Sequence, residues 1–387
     1  MTAFTSRILH TPLDSIEHAL VLVEDGVISQ LGPRDRLKVP SNAHITDFGD
    51  CVLAPGMVDI HIHGAAGHDV MRTDESGRAR IEQFLVRHGV TSYYPTTVAA
   101  PVDDTQSALE RLANAIESNQ RDAGPNGRAR PLGIHLEGPF LSHTRRGVHP
   151  AESLLAAKVS TFDKLWQAAR GNIRLMTIAP ELDGAYEVIA EASKRGVCVS
   201  LGHSDADLES ARAAVRVGAR HATHTFNAMR PLKHREPGMI AEILTNPQLT
   251  ADVIADGVHV DPTVVDLLLK VKGIENTVLI TDAISAAGMP DGRYQLGSFE
   301  VELRNGKCLS NGKLAGSILT MDRALRNLME FAHLDLRKAL RTATLNPAKV
   351  AGAEKKGIIK PGADADFVVL TPSGEVRATI VKGMVIQ

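Results

Sequence analysis

Two histidines that could bind a metal lie close together near the start of the chain. Residues 58–64 read Val-Asp-Ile-His-Ile-His-Gly, so His61 and His63 are separated by one residue. Because successive side chains of a β-strand point to opposite faces, both imidazoles would project from the same face of a strand. Such a pair forms half of a site for zinc, iron or nickel. A chance pair is the alternative in a chain with 16 histidines.

Other apolar segments also end in residues that could ligate a metal, namely Glu137, His203, His224 and Asp282. A carboxylate and several imidazoles buried without partners would cost several kcal/mol of desolvation, and a shared cation removes that cost. The pattern therefore predicts a metal site at the strand ends. His135 lies one step below Glu137 on the same strand face, where we expect packing or support rather than ligation. The alternative for Asp282 is a helix cap.

Short apolar segments alternate with amphipathic ones through the middle of the chain. The predicted strands are Val58–His63, Thr91–Val98, Leu132–Leu136, Ile173–Ala179, Val197–Leu201, His221–Phe226, Thr250–Ala255 and Val278–Thr281. The predicted helices between them include Asp104–Ser118, Thr161–Arg170, Ala185–Arg195, Asp207–Val217 and Thr263–Val271. Eight such strands predict an α/β fold, a (β/α)8 TIM-type barrel whose functional residues lie at the C-terminal strand ends. A doubly wound open sheet is the competing interpretation.

The two ends of the chain differ from this middle region. Residues 1–54 read as short strands with an Asp25-Gly26 hairpin turn, and strand patterns return at residues 356–387. We interpret both ends together as one small β-sandwich domain, and residues 55–355 as the catalytic barrel. Residues 292–311 predict a hairpin, placed either beside the barrel mouth or in the small domain. Two further helices are predicted at Met321–Ala332 and Asp335–Thr344.

Composition excludes several classes of function. A formal net charge of -2 gives no electrostatic basis for binding nucleic acid or an anionic membrane. The chain has no apolar run of the roughly 20 residues that a membrane-spanning helix needs, and its start lacks a signal-peptide pattern. Its three scattered cysteines fit reduced thiols better than a disulfide framework, so we expect a cytoplasmic protein.

Seven short motifs together resemble the sugar-phosphate deacetylases of the amidohydrolase superfamily. They occupy residues 55–64, 135–140, 202–204, 223–229, 235–238, 255–260 and 281–283, and they run in family order over nearly the whole chain. The His-x-His pair and the Asp after the eighth strand are common to the superfamily. The His-Leu-Glu-Gly-Pro, His-Thr-Phe-Asn-Ala-Met, Arg-Glu-Pro-Gly and Asp-Gly-Val-His-Val motifs are more specific.

This resemblance implies a metal-dependent hydrolase that deacetylates N-acetylglucosamine 6-phosphate. Glu137, His203 and His224 would bind the principal divalent metal, expected to be zinc, with Fe²⁺ or another divalent ion possible. His61 and His63 match the positions of a second metal in binuclear members, so one or two metals per subunit are expected. The superfamily's bridging carboxylated lysine would be replaced by Glu137. Asp282 would serve as general base and then as general acid.

The resemblance also implies where the substrate and a partner subunit would bind. The expected substrate-binding residues are Val148, His149, Asn227, Ala228, Arg235, His259, Leu314, Ala315 and Gly316. Arg235 and His259 would contact the phosphate, with Arg235 acting in its own or a neighbouring subunit, since the family is commonly dimeric. One alternative is another metal-dependent amidohydrolase, acting on N-acyl amino acids or cyclic amides. A non-catalytic barrel is a weaker alternative, because every ligand position is retained.

Overall fold

The computed structural model describes residues 1–121, 124 and 126–386. The chain begins with five strands: β1 (Thr2–His10), β2 (Ser15–Glu24), β3 (Val27–Pro33), β4 (His44–Asp47) and β5 (Val52–Pro55). The turn between β2 and β3 is the predicted Asp25-Gly26 hairpin, in which both residues have positive φ, at 49° and 74°. Such a turn favours Asp-Gly because these residues tolerate that backbone conformation.

Strands then alternate with helices through the middle of the chain. The elements are β6 (Met57–Ile62), β7 (Gly64–Ala65), β8 (His68–Asp69), α1 (Glu75–Arg87), β9 (Val90–Thr97), α2 (Val102–Arg121), β10 (Arg130–Pro131), β11 (Ile134–Glu137), α3 (Val159–Ala168), β12 (Ile173–Ile178), α4 (Ala185–Lys194), β13 (Cys198–Leu201), α5 (Leu208–Val217), β14 (Ala219–Ala222), α6 (Gly238–Thr245), β15 (Thr250–Ile254), α7 (Pro262–Lys272) and β16 (Thr277–Ile280).

Eight of these strands form a closed parallel barrel. The pairing order is β6-β9-β11-β12-β13-β14-β15-β16, and every pair is parallel. The first and last strands meet where Ile62 bridges Ala283 and the amide of Asp282 donates to the carbonyl of His61 at 2.9 Å. The predicted (β/α)8 barrel is therefore confirmed, and the open-sheet alternative is wrong because the edges of the sheet pair.

The chain after the barrel's last strand returns to antiparallel structure beside the barrel mouth. Strands β17 (Gly292–Leu296), β18 (Phe299–Arg304), β19 (Lys307–Ser310) and β20 (Lys313–Leu314) form a separate four-stranded sheet. The predicted hairpin thus belongs to the mouth and not to the terminal domain. Helices α8 (Met321–Phe331), α9 (Leu336–Ala343) and α10 (Leu345–Val350) follow, and the first two match the predicted pair.

The terminal strands β21 (Phe367–Leu370), β22 (Val376–Val381) and β23 (Met384–Ile386) join the first five in an eight-stranded sheet. This sheet forks at β1, whose first half pairs with β4 and whose second half pairs with β5. The two arms face each other, with the rings of Phe4 and Phe367 5.8 Å apart. Both ends of the chain therefore build one β unit. Within the described ranges, no helix is long and apolar enough to cross a membrane.

Two features of the barrel differ from the predicted elements. The sixth strand ends at Ala222, whereas the prediction extended it to Phe226. The chain turns there because His224 and Phe226 adopt positive φ, at 30° and 80°. Helices α1 and α6 were not predicted. Helix α1 was missed because its sequence is mostly polar and rich in arginine, so its apolar stripe is narrow. That stripe includes Ile81 and Leu85, which are buried against the barrel.

Candidate metal centre

Six ionisable side chains converge at the C-terminal mouth of the barrel. His61 lies on β6, His63 directly follows that strand, and Glu137 ends β11. His203, His224 and Asp282 lie two residues beyond the ends of β13, β14 and β16. None of the six residues is more than 7% exposed. Parallel strands bring their carboxyl ends to one rim, which is why residues more than 200 positions apart in the chain meet here.

Glu137 lies at the centre of this cluster. Its Oε1 is 3.2 Å from His224 Nε2 and 3.3 Å from His203 Nε2, and its Oε2 is 3.4 Å from His63 Nε2. Asp282 lies beside the two histidines of the first barrel strand, with Oδ1 3.2 Å from His63 Nε2 and 3.5 Å from His61 Nε2. The carboxylate of Glu137 thus contacts His63 on one side of the cluster and His203 and His224 on the other.

Hydrogen bonds to the backbone set the tautomers of two of these histidines. Nδ1 of His63 donates to the carbonyl of Thr96 at 3.0 Å, and Nδ1 of His203 donates to the carbonyl of Arg145 at 3.1 Å. In both neutral rings Nε2 therefore keeps a lone pair directed into the cluster. Metal-binding histidines are oriented in this way by a partner on the other nitrogen.

The electrostatics of the cluster also favour a cation. Burial opposes charge on His63 and His224, but hydrogen bonds and charges from Asp282 and Glu137 outweigh it and raise their pKa values to about 10 and about 9. Burial likewise opposes ionisation of Asp282, yet its bond to His63 lowers its pKa to about 2. His61, His63 and Asp282 form one donor group within 4.8 Å, and Glu137, His149 and His203 form another. Nitrogen and carboxylate donors of this kind fit zinc or a similar divalent ion.

Three of the site residues have an unusual backbone conformation. His203, His224 and Asp282 have φ values of 46°, 30° and 50°. Non-glycine residues in this region cost on the order of 1–3 kcal/mol each and cluster at functional sites. Here the bend after each strand turns the side chain inward over the barrel axis. The surrounding structure must therefore hold each bend in place.

Three acids provide that support, the buried Asp59 and Asp252 and the half-buried Glu181, and our sequence reasoning did not identify them. Asp252 accepts the backbone N–H of His224, Asp59 accepts the Thr281 hydroxyl at 2.6 Å, and Glu181 accepts the Ser204 hydroxyl at 2.6 Å. Asp252 had a recognisable signal, because it interrupts an apolar barrel strand. His135 lies below the site, and its Nε2 contacts the Thr177 hydroxyl at 2.8 Å.

A cavity of about 230 Å³ opens beside the metal-site residues and holds most of the predicted substrate-binding residues. Those that line it are Val148, His149, Asn227, Ala228, His259, Leu314 and Gly316. Ala315 does not, because its side chain is buried and its amide donates to the carbonyl of Cys308. Arg235 does not either, because it lies on an exposed loop of the single chain.

His149 faces the cluster as a hydrogen-bond donor. Its Nδ1 accepts the backbone N–H of Ala99 at 3.0 Å, so in the neutral ring the hydrogen is on Nε2. That nitrogen is 3.5 Å from Glu137 Oε2 and borders the cavity. A nitrogen that carries hydrogen cannot ligate a metal. His149 is therefore better suited to contact substrate than to complete the coordination shell.

The barrel and its rim of histidines and carboxylates define a metal-dependent hydrolase of the (β/α)8 class. The family model described as "Amidohydrolase family" matches residues 52–386. This chain belongs to the amidohydrolase family, and its relatives there are amino-sugar-phosphate deacetylases.

Two relatives and one solved structure illustrate this similarity. The N-acetylglucosamine-6-phosphate deacetylase of Bos taurus is 40% identical over 87% of this chain and 84% of its own length. The N-acetylgalactosamine-6-phosphate deacetylase of Escherichia coli O157:H7 is 36% identical over 93% of both chains. The solved N-acetyl-D-glucosamine-6-phosphate deacetylase of Mycobacterium smegmatis, in complex with N-acetyl-D-glucosamine-6-phosphate, is 31% identical. It covers 100% of this chain and 99% of its own, with a TM-score of 0.92.

Proposed function

We propose that this chain hydrolyses the acetamide of N-acetylglucosamine 6-phosphate to acetate and glucosamine 6-phosphate. The observation that carries the proposal is the shared cavity: all the proposed metal donors except His61, the acid Asp282 and most of the predicted sugar-binding residues border one pocket. The whole-length similarity to amino-sugar-phosphate deacetylases supports the same substrate class.

Glu137, His203 and His224 would hold the principal metal, for which we propose zinc. His61 and His63 would hold a second, with Asp282 beside them and Glu137 between the two groups. A divalent cation held there would lower the pKa of a bound water toward about 7 and would polarise the substrate carbonyl. Hydrolysis also requires proton transfer, orientation of the substrate and exclusion of bulk water. The side chains around the pocket would provide these.

Asp282 would carry the proton between water and the departing nitrogen. Its low pKa keeps it ionised at neutral pH, so it can accept the proton of the attacking water. After water oxygen adds to the acetyl carbon, Asp282 returns this proton to the amide nitrogen as the carbon–nitrogen bond breaks. Nε2–H of His149, which borders the same pocket, would donate to the negative oxygen of the tetrahedral intermediate.

The 6-phosphate would bind at the outer part of the cavity, through His259, Asn227 and Ala228. We propose that Arg235 reaches the phosphate of a neighbouring subunit in a homodimer, because Arg235 is exposed and does not line the pocket of its own chain. A planar guanidinium suits this contact because it donates two parallel hydrogen bonds to phosphate oxygens. The three free thiols, Cys51, Cys198 and Cys308, support the expected cytoplasmic location.

A second candidate substrate is N-acetylgalactosamine 6-phosphate, since a relative with that name is 36% identical over 93% of this chain. The two sugars differ only in the configuration at C4, far from the acetamide. The expected alternatives, N-acyl amino acids and cyclic amides, are not favoured, because Arg235 and His259 would have no phosphate to bind.

Acetate release from matched substrates tests this proposal. Purified enzyme of measured metal content is assayed with both N-acetylhexosamine 6-phosphates, with unphosphorylated N-acetylglucosamine and with an N-acetyl amino acid. We expect the highest kcat/KM for N-acetylglucosamine 6-phosphate. A metal-loaded enzyme that releases no acetate from either phosphorylated sugar but hydrolyses the N-acetyl amino acid would overturn the proposal. A preference for the galactosamine compound would instead establish the second candidate.

A further inference from the structure

His259 stands between two cavities at the barrel mouth. It follows β15 in the loop that leads to α7, and its side chain is 7% exposed. The metal-site cavity and a second cavity of about 330 Å³ have His259, Leu314 and Gly316 in common. Because this ring borders both cavities, its orientation determines which of its atoms faces a ligand in either one.

Asp256 controls that orientation with both of its carboxylate oxygens. Oδ1 accepts the backbone N–H groups of Val258 and His259, each at 2.8 Å. Oδ2 accepts Nδ1–H of the His259 ring at 2.7 Å. An ionised carboxylate can only accept, so the hydrogen on Nδ1 is fixed. The backbone and the ring of His259 are thus held by the same side chain.

The charge of Asp256 matters as well as its geometry. Burial opposes its ionisation, but the hydrogen bond and charge of His259 outweigh burial and hold the pKa of Asp256 below its usual range. A doubly protonated ring between this carboxylate and a bound phosphate would form a charge-assisted hydrogen bond with each. No other described residue forms a hydrogen bond with Nε2 of His259, so this nitrogen is available to a ligand.

We propose that Asp256 is a positioning residue for the phosphate of the substrate: it accepts Nδ1–H of the His259 ring, so that Nε2 faces a phosphate oxygen and donates to it from the doubly protonated ring. This inference rests on the proposed function, in which His259 contacts the 6-phosphate. Asp256 itself contacts no substrate atom and acts through His259. Removing its charge should therefore weaken phosphate recognition selectively, since hydrogen bonds to charged groups are stronger than neutral ones.

The test compares Asp256→Asn, His259→Gln and the double variant with the wild-type enzyme. Asparagine can still accept the two backbone N–H groups, so the turn is preserved while the charge is lost. We expect D256N to raise KM for N-acetylglucosamine 6-phosphate roughly 10- to 100-fold. The substitution should change KM more than kcat. The preference of the enzyme for the phosphorylated over the unphosphorylated sugar, measured as the ratio of their kcat/KM values, should therefore fall. The double variant should be no worse than H259Q alone, because Asp256 acts through the ring.

Asp261→Asn is the matched control. Asp261 is an exposed acid in the same loop that caps α7 through the amide of Thr263, and asparagine keeps such a cap. Equal losses of D256N on phosphorylated and unphosphorylated sugar, or effects that multiply in the double variant, would overturn the inference.

Titration with inorganic phosphate separates this inference from the proposed function. Binding should be weaker in D256N than in the D261N control, even if the wild-type enzyme prefers another phosphorylated substrate. Equal phosphate affinity in the two variants would refute the role of Asp256, whereas failure of the wild-type enzyme to release acetate would refute only the function.

Discussion

Asp252 on β15 accepts the backbone N–H of His224, which lies two residues beyond the end of β14. Its second oxygen faces Nε2 of His221 at 3.1 Å, and Nδ1 of His221 contacts the Thr250 hydroxyl at 2.7 Å. Asp252 and His221 are fully buried, and this chain of hydrogen bonds connects neighbouring strands below the metal-site residues. It holds the positive φ of His224, without which the imidazole would not point at Glu137.

Asp252→Ala should therefore lower metal affinity without removing any ligand. The substitution leaves the amide of His224 and the ring of His221 without a buried partner, and loss of such support typically costs about 10–100-fold in affinity. Metal content after dialysis against graded chelator measures this effect. Asp261→Ala, at an exposed cap, is the control that should retain wild-type metal content; equal retention by D252A would contradict the interpretation.

Asp282→Asn should abolish turnover while the protein still binds metal through its remaining donors. Asparagine preserves the shape of the side chain but cannot accept the proton of water, and positioned general bases contribute about 10²–10⁴-fold. Single-turnover acetate release and metal analysis on the same preparation measure the two properties. Retained turnover in a metal-loaded D282N sample would show that another group accepts the proton.

His149→Asn should lower kcat and leave metal content unchanged, because its Nδ1 is already occupied by the amide of Ala99 and its Nε2–H donates. Loss of one donor to a developing oxyanion costs on the order of 10²–10³ in kcat. His203→Asn is the comparison, since that ring offers a lone pair and should lose metal. If both variants lose metal equally, His149 is a ligand after all.

Lys356 and Asp366 form a buried ion pair where the terminal sheet meets the barrel. Nζ of Lys356 is 2.5 Å from Asp366 and 2.8 Å from Asp364, which also binds Lys382 at 2.7 Å. Lys356→Met leaves the buried Asp366 carboxylate without an ammonium partner, while Asp364 keeps Lys382, so we expect the free energy of unfolding to fall by about 3–5 kcal/mol. Urea unfolding measures the change, and Lys360→Met, at an exposed position nearby, should have little effect.

The ion pairs of Asp364 with Lys356 and Lys382 also predict a dependence on pH. Burial opposes the charge of Asp364, but Lys356 and Lys382 outweigh it and lower its pKa below 3.8. A carboxyl group whose pKa is lowered by folding stabilises the protein above its unfolded pKa, and this contribution is lost as pH falls through the folded value. The stability difference between wild type and K356M should therefore stay constant above about pH 5 and shrink below about pH 4. A constant difference down to pH 3 would contradict this assignment.

Much of the fold and of the metal centre was predictable because both depend on short-range regularities. Alternation on β6 placed His61 and His63 on one face, and the barrel topology brought Glu137 and Asp282 to the same rim. What remained hidden depends on contacts between distant segments. The positive φ of His224 rests on Asp252, 28 residues later, and no local pattern marks that dependence.

The position of Arg235 was the least accessible to sequence reasoning, since a motif identifies a residue but not the subunit that it serves. Its loop, residues 231–236, is exposed throughout, and the adjoining Arg230 is tied back to Asp205 at 3.1 Å. Arg235 is thus exposed and is not among the residues that line the cavity of its own chain. Under the proposed function, it would meet the phosphate held by a partner subunit.

Mixed dimers distinguish the two possibilities for Arg235. Arg235→Ala should raise KM for the phosphorylated sugar by roughly 10-fold or more, as expected for a lost charge-assisted contact. Co-expression of differently tagged R235A and D282N chains produces heterodimers that can be purified. If Arg235 acts across the interface, the R235A subunit has an intact Asp282 and receives the arginine of its D282N partner, so half of the sites recover wild-type KM. If Arg235 acts in its own chain, both sites of the heterodimer are defective and no recovery occurs.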